Sequence, residues 1–303
     1  SNRIFKMLCE VGTSHGFFAL WMVMSVLGLA SMLILSSALF YPYYVRPTFE
    51  RWRLKNNPKF PSPELVKKEI IHMCKGLSVA TLCPAFTLMA SKWGYSQGYC
   101  GSNGPDNALP IIAQVLIVFI FTDFTEYFYH LLGHKYNFLW SIHRHHHMFY
   151  NPSPFAVIAD EYLDQFVRTL PMVALPFMLP INMDLMFMIF AVLFYGYGVY
   201  LHLGYEVEGL SAHNPILNTS YHHYMHHAIS AKNRPIYTGF FFKIWDQIFD
   251  TGYPDACQCV HCRPARTLQM WEEVVKPDYS VLLSPKWWFY SSSNTLNAEN
   301  KTK

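Results

Sequence analysis

Twelve of the fifteen histidines fall between His130 and His227, and they are grouped. His130 and His134 stand four apart. His143, His146 and His147 follow, with His145 among them. His222, His223, His226 and His227 form a third cluster. A helix returns to the same face every three or four residues, so each cluster presents its imidazoles on one side. Imidazoles at that spacing are suited to holding metal. A zinc ion takes four ligands, or three and a water. The eight histidines on these faces exceed the needs of one ion, which points to two. Nitrogen ligands with room for oxygen chemistry point to iron. His15, His72 and His261 read as surface or satisfied core residues. A loose metal-binding tract would be continuous, whereas a long apolar stretch separates the second cluster from the third.

The elements that must position these clusters are apolar. Of 303 residues, 52% are hydrophobic and only 14% charged, which is lean for a soluble chain. The thirty residues from Gly16 to Val45 carry no charge, more than the ~20 needed to cross a bilayer. Shorter uncharged runs follow at 76–91 and 108–122, and the run 169–205 is interrupted only by Asp184. The expected fold is all-α: a polytopic membrane bundle with a histidine-rich di-metal cap on its cytosolic side. The expected division is 1–107 for the first membrane helices and a basic loop, 108–255 for the catalytic domain and 256–303 for a cytosolic tail, polar after Ser291. No secretory signal is expected.

Charge sets the expected orientation. The segment 46–75 carries eight Lys or Arg residues, whereas 91–107 carries only Lys92. The positive-inside rule puts the first loop in the cytosol and the second, with Tyr99, Cys100 and Asn103, in the lumen. The run 169–205 must return to the side it left, because histidines lie before and after it. Its first arm, 169–179, is too short to cross, so a re-entrant or interfacial hairpin is expected.

Order and spacing together resemble the fatty acid hydroxylase and sterol desaturase superfamily of membrane di-iron enzymes, over roughly 121–252. The resemblance rests on the three clusters, on Asp123 before the first, on Pro154, Phe155 and Ala156 after the second, and on the segment from His202 to Glu206. It also rests on Ile244 to Thr251 after the third. It is strongest to the sterol desaturases. The segment 202–206 is also similar to the sterol 4-methyl oxidases, and 217–227 to the alkylglycerol monooxygenases. The resemblance implies His202 as a further ligand. Sterol-type members carry another histidine before a proline, and here alignment puts Glu161 at that place. A carboxylate also binds iron, so Glu161 is expected among the ligands, with Asp164 as its neighbour.

The resemblance thus implies a metal shell of His130, His134, His143, His146, His147, Glu161, His202, His223, His226 and His227. Asp123 and Glu126 share the face of His130 and His134 and are expected to accept imidazole N–H groups. His145 and His222 are spare, as ligands or orienting neighbours, and His213 reads as structural. Attack on an unactivated C–H bond is beyond any side-chain acid or base and needs an oxygen-activating cofactor. The expected cofactors are two Fe ions and O2, with zinc competing for the imidazoles in purified samples. Electrons are expected from NADH or NADPH through cytochrome b5 and its reductase, since no His-Pro-Gly-Gly haem motif is present. Arg51, Arg53, Lys55, Lys67 and Lys68 are either a docking face for an acidic donor or topology and lipid contacts.

The expected activity is desaturation or hydroxylation of a sterol or related lipid at the endoplasmic reticulum membrane. Alternatives are an alkylglycerol or fatty-acyl hydroxylase and a non-catalytic metal-binding membrane protein. A net charge of +3 gives no reason for nucleic acid as a partner. Zinc proteolysis lacks its His-Glu-x-x-His string. A haem carrier or metal transporter would place its ligands inside the spans, where few of these histidines lie. Cys257, Cys259 and Cys262, with His261, are either a zinc site or a reduced loop.

Overall fold

The computed structural model describes residues 2–101 and 104–290. Asn103 and the tail after Ser291 lie outside the described residues. The fold is helical, and among the described residues the only β pairings are isolated bridges. Helix α1 (Asn2–Phe40) bends at Gly16, whose φ of 82° suits a residue without a Cβ. It runs on into a π-helical turn, Tyr41–Val45. After α2 (Phe49–Trp52), Ser62 caps α3 (Pro63–Ala80) by accepting from the Leu65 N–H, with Pro63 at the first helical position. Thr81 separates α3 from α4 (Leu82–Lys92). Helix α5 (Ile111–Lys135) leads directly to α6 (Asn137–His143).

The hairpin expected at 169–205 is longer than its uncharged run. Its descending arm is α7 (Tyr162–Arg168) followed by α8 (Pro171–Met178). Its returning arm is α9 (Met183–Met188), a π-helical turn (Ile189–Tyr195) and α10 (Gly196–Leu201). The tip is fastened to the segment 97–101. Tyr99 N–H donates to Ile181 O at 3.0 Å, Met183 N–H to Tyr99 O at 2.8 Å, and Asn182 N–H to Gln114 Oε1 at 2.7 Å. That segment adjoins the start of α5, roughly 28 Å along the helix axis from His130. The hairpin therefore reaches the far end of the bundle, and the re-entrant expectation is corrected. Its arm was misjudged because Asp164 and Arg168, which break the uncharged run, are drawn into the core with the histidines.

Among the described residues, four elements are long and apolar enough to cross a membrane: Ser14–Val45, Pro63–Lys92, Ile111–Lys135 and Met183–Leu201. Only 11% of the most apolar window of the first is buried. Phe18, Met22, Val26 and Ile34 stand outward, as do Ile112, Leu116 and Ile120 on α5. An apolar surface of that extent suits lipid, not water. The remaining helices are α11 (Ser220–Ile229), α12 (Ile244–Ile248), α13 (Leu268–Glu273) and α14 (Pro285–Tyr290). The C-terminal segment straps the basic loop: Arg263 donates to the carbonyls of Arg53, Lys55 and Asn56, and Arg266 to those of Trp52 and Asn56.

Candidate metal centre

The ends of α5, α6, α10 and α11 meet at one place, and nine histidines converge there in two groups. His130, His134, His143, His147 and His226 form the first; His146, His202, His223 and His227 form the second. Within each group the nearest ligand atoms all lie within 4.8 Å of one another. Eight of the nine are buried and His147 is partly buried. The groups adjoin, with the ring centroids of His147 in the first and His227 in the second 5.5 Å apart.

In five of the nine rings a hydrogen bond fixes which nitrogen is free. His130 Nδ1 donates to Thr238 O at 3.0 Å, His134 Nδ1 to Ala231 O at 3.1 Å, and His226 Nδ1 to Ile236 O at 2.7 Å. His202 Nδ1 donates to Gly198 O at 2.7 Å and His143 Nδ1 to Asp164 Oδ2 at 2.9 Å. A neutral imidazole that donates from Nδ1 presents a bare lone pair at Nε2. The Nε2 atoms of the two groups point at one another. His143 Nε2 lies 3.1 Å from His147 Nε2, which lies 3.2 Å from His226 Nε2; His202 and His223 Nε2 are 2.9 Å apart, and His223 and His227 Nε2 are 3.1 Å apart. His130 and His134 Nε2 are buried with no partner at all. Ligand nitrogens about 2.1 Å from a shared cation would be roughly 3.0–3.4 Å apart. The donor set fits a metal in each group.

Electrostatics favour the ligating form at most of these rings; at His146 alone the neighbouring Asp160 outweighs burial and the shift is upward. Burial, reinforced by neighbouring imidazoles, holds His147, His223, His226 and His227 well below the usual imidazole pKa. Burial takes His202 down to about 3. Neutral rings bring no compensating charge, and the carboxylates nearby do. Asp160 Oδ1 is 2.6 Å from His146 Nδ1, in contact but out of line for a hydrogen bond. Arg168 contacts Glu126 and lies 3.9 Å from Asp160 and 3.7 Å from Asp164. Three carboxylates against one guanidinium leave this shell net negative, which suits a cationic centre.

The nine histidines singled out in the sequence are thus the nine brought together. The carboxylates are placed differently. Glu161 stands outside both groups and is partly exposed. The helix begins only at Tyr162, and Glu161 is its extended N-cap with φ −65° and ψ 146°. In extended chain neighbouring side chains point opposite ways, so buried Asp160 faces the histidines and Glu161 does not. Asp123 and Glu126 do not accept from imidazoles. Asp123 accepts from Phe241 N–H at 2.8 Å and Trp245 Nε1 at 2.7 Å, and Glu126 pairs with Arg168. Asp123 acts at one remove: with Asp246, which accepts from Thr238 N–H at 2.8 Å, it fixes the segment that supplies the carbonyl for His130.

His145 and His222 lie outside the groups. His145 bonds Ile142 O, and His222 Nδ1 closes a capping box with Thr219. Asp160 and Arg168 were missed. Asp160, Asp164 and Arg168 recur at intervals of four, a charged stripe legible in the sequence. Lys55, grouped with exposed bases, is fully buried among Tyr44, Phe60 and Tyr205, so it offers nothing to a partner.

A cavity of about 60 Å³ opens beside both groups, lined by His130, His146, His202 and His223 and by Val157, Phe190, Phe194 and Phe240. Phe190 and Tyr195 also wall a second cavity of about 210 Å³ between α1, α3, α4 and the hairpin, apolar and within the spans. The shared wall includes the π-helical turn, a feature that recurs at functional sites.

Fold and site together define a helical protein with candidate membrane spans and two adjoining histidine groups arranged as metal ligands. Residues 115–251 match the family described as fatty acid hydroxylase. It is 28% identical over 196 residues to lathosterol oxidase of Rattus norvegicus, covering 64% of this chain and 63% of that protein. It is 29% identical over 192 residues to a Delta(7)-sterol 5(6)-desaturase of Aspergillus fumigatus, covering 63% and 52%. A Delta(7)-sterol 5(6)-desaturase of Gibberella zeae is 26% identical over 237 residues, covering 77% and 62%. The chain thus spans less than two thirds of the length of these relatives. No solved structure matches it.

Proposed function

We propose that the chain is a membrane oxidoreductase that desaturates or hydroxylates a sterol or related lipid with dioxygen and external electrons. The observation that carries this reading is the convergence of bare Nε2 atoms beside an apolar cavity that adjoins a second one within the spans. Two iron ions held by the two histidine groups would supply the oxygen activation that C–H attack requires. At His130, His134, His143, His202 and His226 the Nδ1 acceptor holds the ring's tautomer and angle. Asp164 does this for His143, Asp160 lies against His146, and Arg168 with Glu126 holds those carboxylates in place. Val157, Phe190, Phe194 and Phe240 give the substrate an apolar berth and keep water away. The sterol class comes from the names of the relatives, and the apolar route suits such a molecule.

Cytochrome b5 and its reductase, drawing on NADH or NADPH, are the proposed electron source. The proposed location is the endoplasmic reticulum membrane with the centre facing the cytosol, supported by the basic segment 46–75. Cys100, in the loop assigned to the lumen, is disulfide-bonded, as suits an oxidising compartment. The catalytic domain is proposed as 108–255, with 1–107 as membrane helices and basic loop. The test is product analysis. Iron-loaded protein, reductase, cytochrome b5, NADH and oxygen are given a panel of sterols, alkylglycerols and fatty acyl lipids. Oxidised or dehydrogenated sterol is expected; turnover of an acyl or glycerol lipid alone, or of nothing, would overturn the reading.

A further inference from the structure

A second donor set lies apart from the nine histidines and plays no part in the chemistry above. His213, Cys257, Cys259 and Cys262 offer one imidazole nitrogen and three sulfurs, all within 4.8 Å of one another. His213 Nε2 is 3.5 Å from Cys259 Sγ and 3.2 Å from Cys262 Sγ. A tetrahedral zinc with Zn–S near 2.3 Å and Zn–N near 2.1 Å would put sulfur and nitrogen roughly 3.5 Å apart. The three cysteines are free thiols. His261, the partner suggested by sequence proximity, is not in the group. His213, which read as structural, completes it from a loop more than forty residues upstream.

Local structure presents the donors together. The N–H groups of Cys262 and Arg263 both donate to Cys259 O at 3.0 Å, a tight turn around the Cys259–Cys262 pair. Cys259 is buried in a small core with Ala212 and Tyr221, the Gln258 N–H donates to the Tyr221 hydroxyl at 2.8 Å, and Cys262 is exposed at the rim. Lys243 Nζ donates to Ala212 O at 3.0 Å and Asn214 O at 2.7 Å, clamping the loop that carries His213. It also brings positive charge towards a donor set that is anionic once its thiols ionise.

We propose that His213, Cys257, Cys259 and Cys262 bind one structural zinc ion. Three thiolates and an imidazole are soft, closed, four-coordinate ligation, which selects zinc over the harder ions. The ion ties two elements. One is the loop leading into α11, which carries His223, His226 and His227. The other is the C-terminal strap, whose Arg263 and Arg266 grip the backbone at 52–56. Zinc there staples the strap to the base of the histidine centre and leaves no position open for substrate.

The test uses the full chain purified in detergent. Zinc-edge X-ray absorption should show a sulfur shell near 2.3 Å. Cobalt substitution should give a thiolate charge-transfer band that an all-imidazole centre cannot produce. Cys259→Ser and His213→Ala should each lose one zinc per chain, whereas His213→Cys should retain it. The double variant His134→Ala with His223→Ala should keep this zinc while losing metal from the histidine centre. Should Cys259→Ser not fold, absorption and cobalt spectra of the unaltered chain decide. Absence of sulfur ligation there, or recovery of the cysteines as a disulfide, would overturn the proposal.

Discussion

Asp164 binds His143 through one carboxylate oxygen and Tyr129 through the other. His143 Nδ1 donates to Oδ2 at 2.9 Å, and the Tyr129 hydroxyl donates to Oδ1 at 2.5 Å. Burial would raise the Asp164 pKa, but His143, Tyr129 and His146 together outweigh it and the net shift is downward. The carboxylate therefore stays ionised inside the protein, pulling on the Nδ1 proton and making Nε2 a stronger donor to metal. An ionised, doubly bonded carboxylate behind a ligand histidine is a rigid mount for that ring.

Replacing Asp164 with Asn should cost about 10–100-fold in metal affinity or activity, the range for lost partners of ligand histidines. Asp160→Asn should also weaken the centre, through His146. Glu161→Gln should leave metal content near that of the unaltered chain. Metal titration of the three purified variants checks this. Loss of metal from Glu161→Gln, with Asp164→Asn unaffected, would restore Glu161 as a ligand and reject the Asp164 mount.

The histidine centre should hold two ions per chain, beyond any bound by thiols. His134→Ala breaks only the first group and His202→Ala only the second. Each is expected to lower the imidazole-bound metal by about one ion, by the ligand count of closed sites. Elemental analysis with X-ray absorption reads this out. A centre with one ion in the unaltered chain would refute the two-group arrangement.

The histidines were legible in the sequence because their helical spacing is a local property. Their sorting into groups of five and four was not. His146 and His147 are adjacent, yet a 3-10 turn at 146–148 sends one to each group. The carboxylates depended on where one helix begins. A start one residue past Glu161 exchanges Glu161 for Asp160, and no capping signal marks it, since the Glu161 side chain makes no cap hydrogen bond. The hairpin was misread for a related reason. Charge was taken as the boundary of the apolar element, whereas Asp164 and Arg168 are buried partners of the centre. His213 was out of reach, because pairing it with the cysteines is a long-range contact that spacing does not encode.

The cavity between α1, α4 and the hairpin should be the entry route for a long substrate. Ala191 lines it, about two turns along the element from Gly198, whose carbonyl holds His202 Nδ1. Ala191→Trp should fill the passage and raise the apparent KM for lipid several-fold or more. Metal content should not change, because no ligand or ligand partner touches residue 191. Unaltered lipid kinetics in that variant would mean that substrate reaches the centre by another path.

Orientation follows from the fastening of the hairpin tip to the segment 97–101. Both must lie on one side of the membrane, and the histidine ends of α5, α10 and α11 on the other. With the basic segment 46–75 in the cytosol, a cysteine placed at Gln97 should be shielded from a membrane-impermeant thiol reagent in sealed microsomes. One placed at exposed Lys232, beside the centre, should react. The sequon at Asn218 should carry no glycan. It lies on the cytosolic side in this arrangement, and Asn218, Thr219 and Ser220 are all buried, beyond the reach of an enzyme that needs an accessible loop. Labelling of Gln97 together with protection of Lys232 would invert the topology, placing the centre in the lumen and away from any cytosolic electron donor.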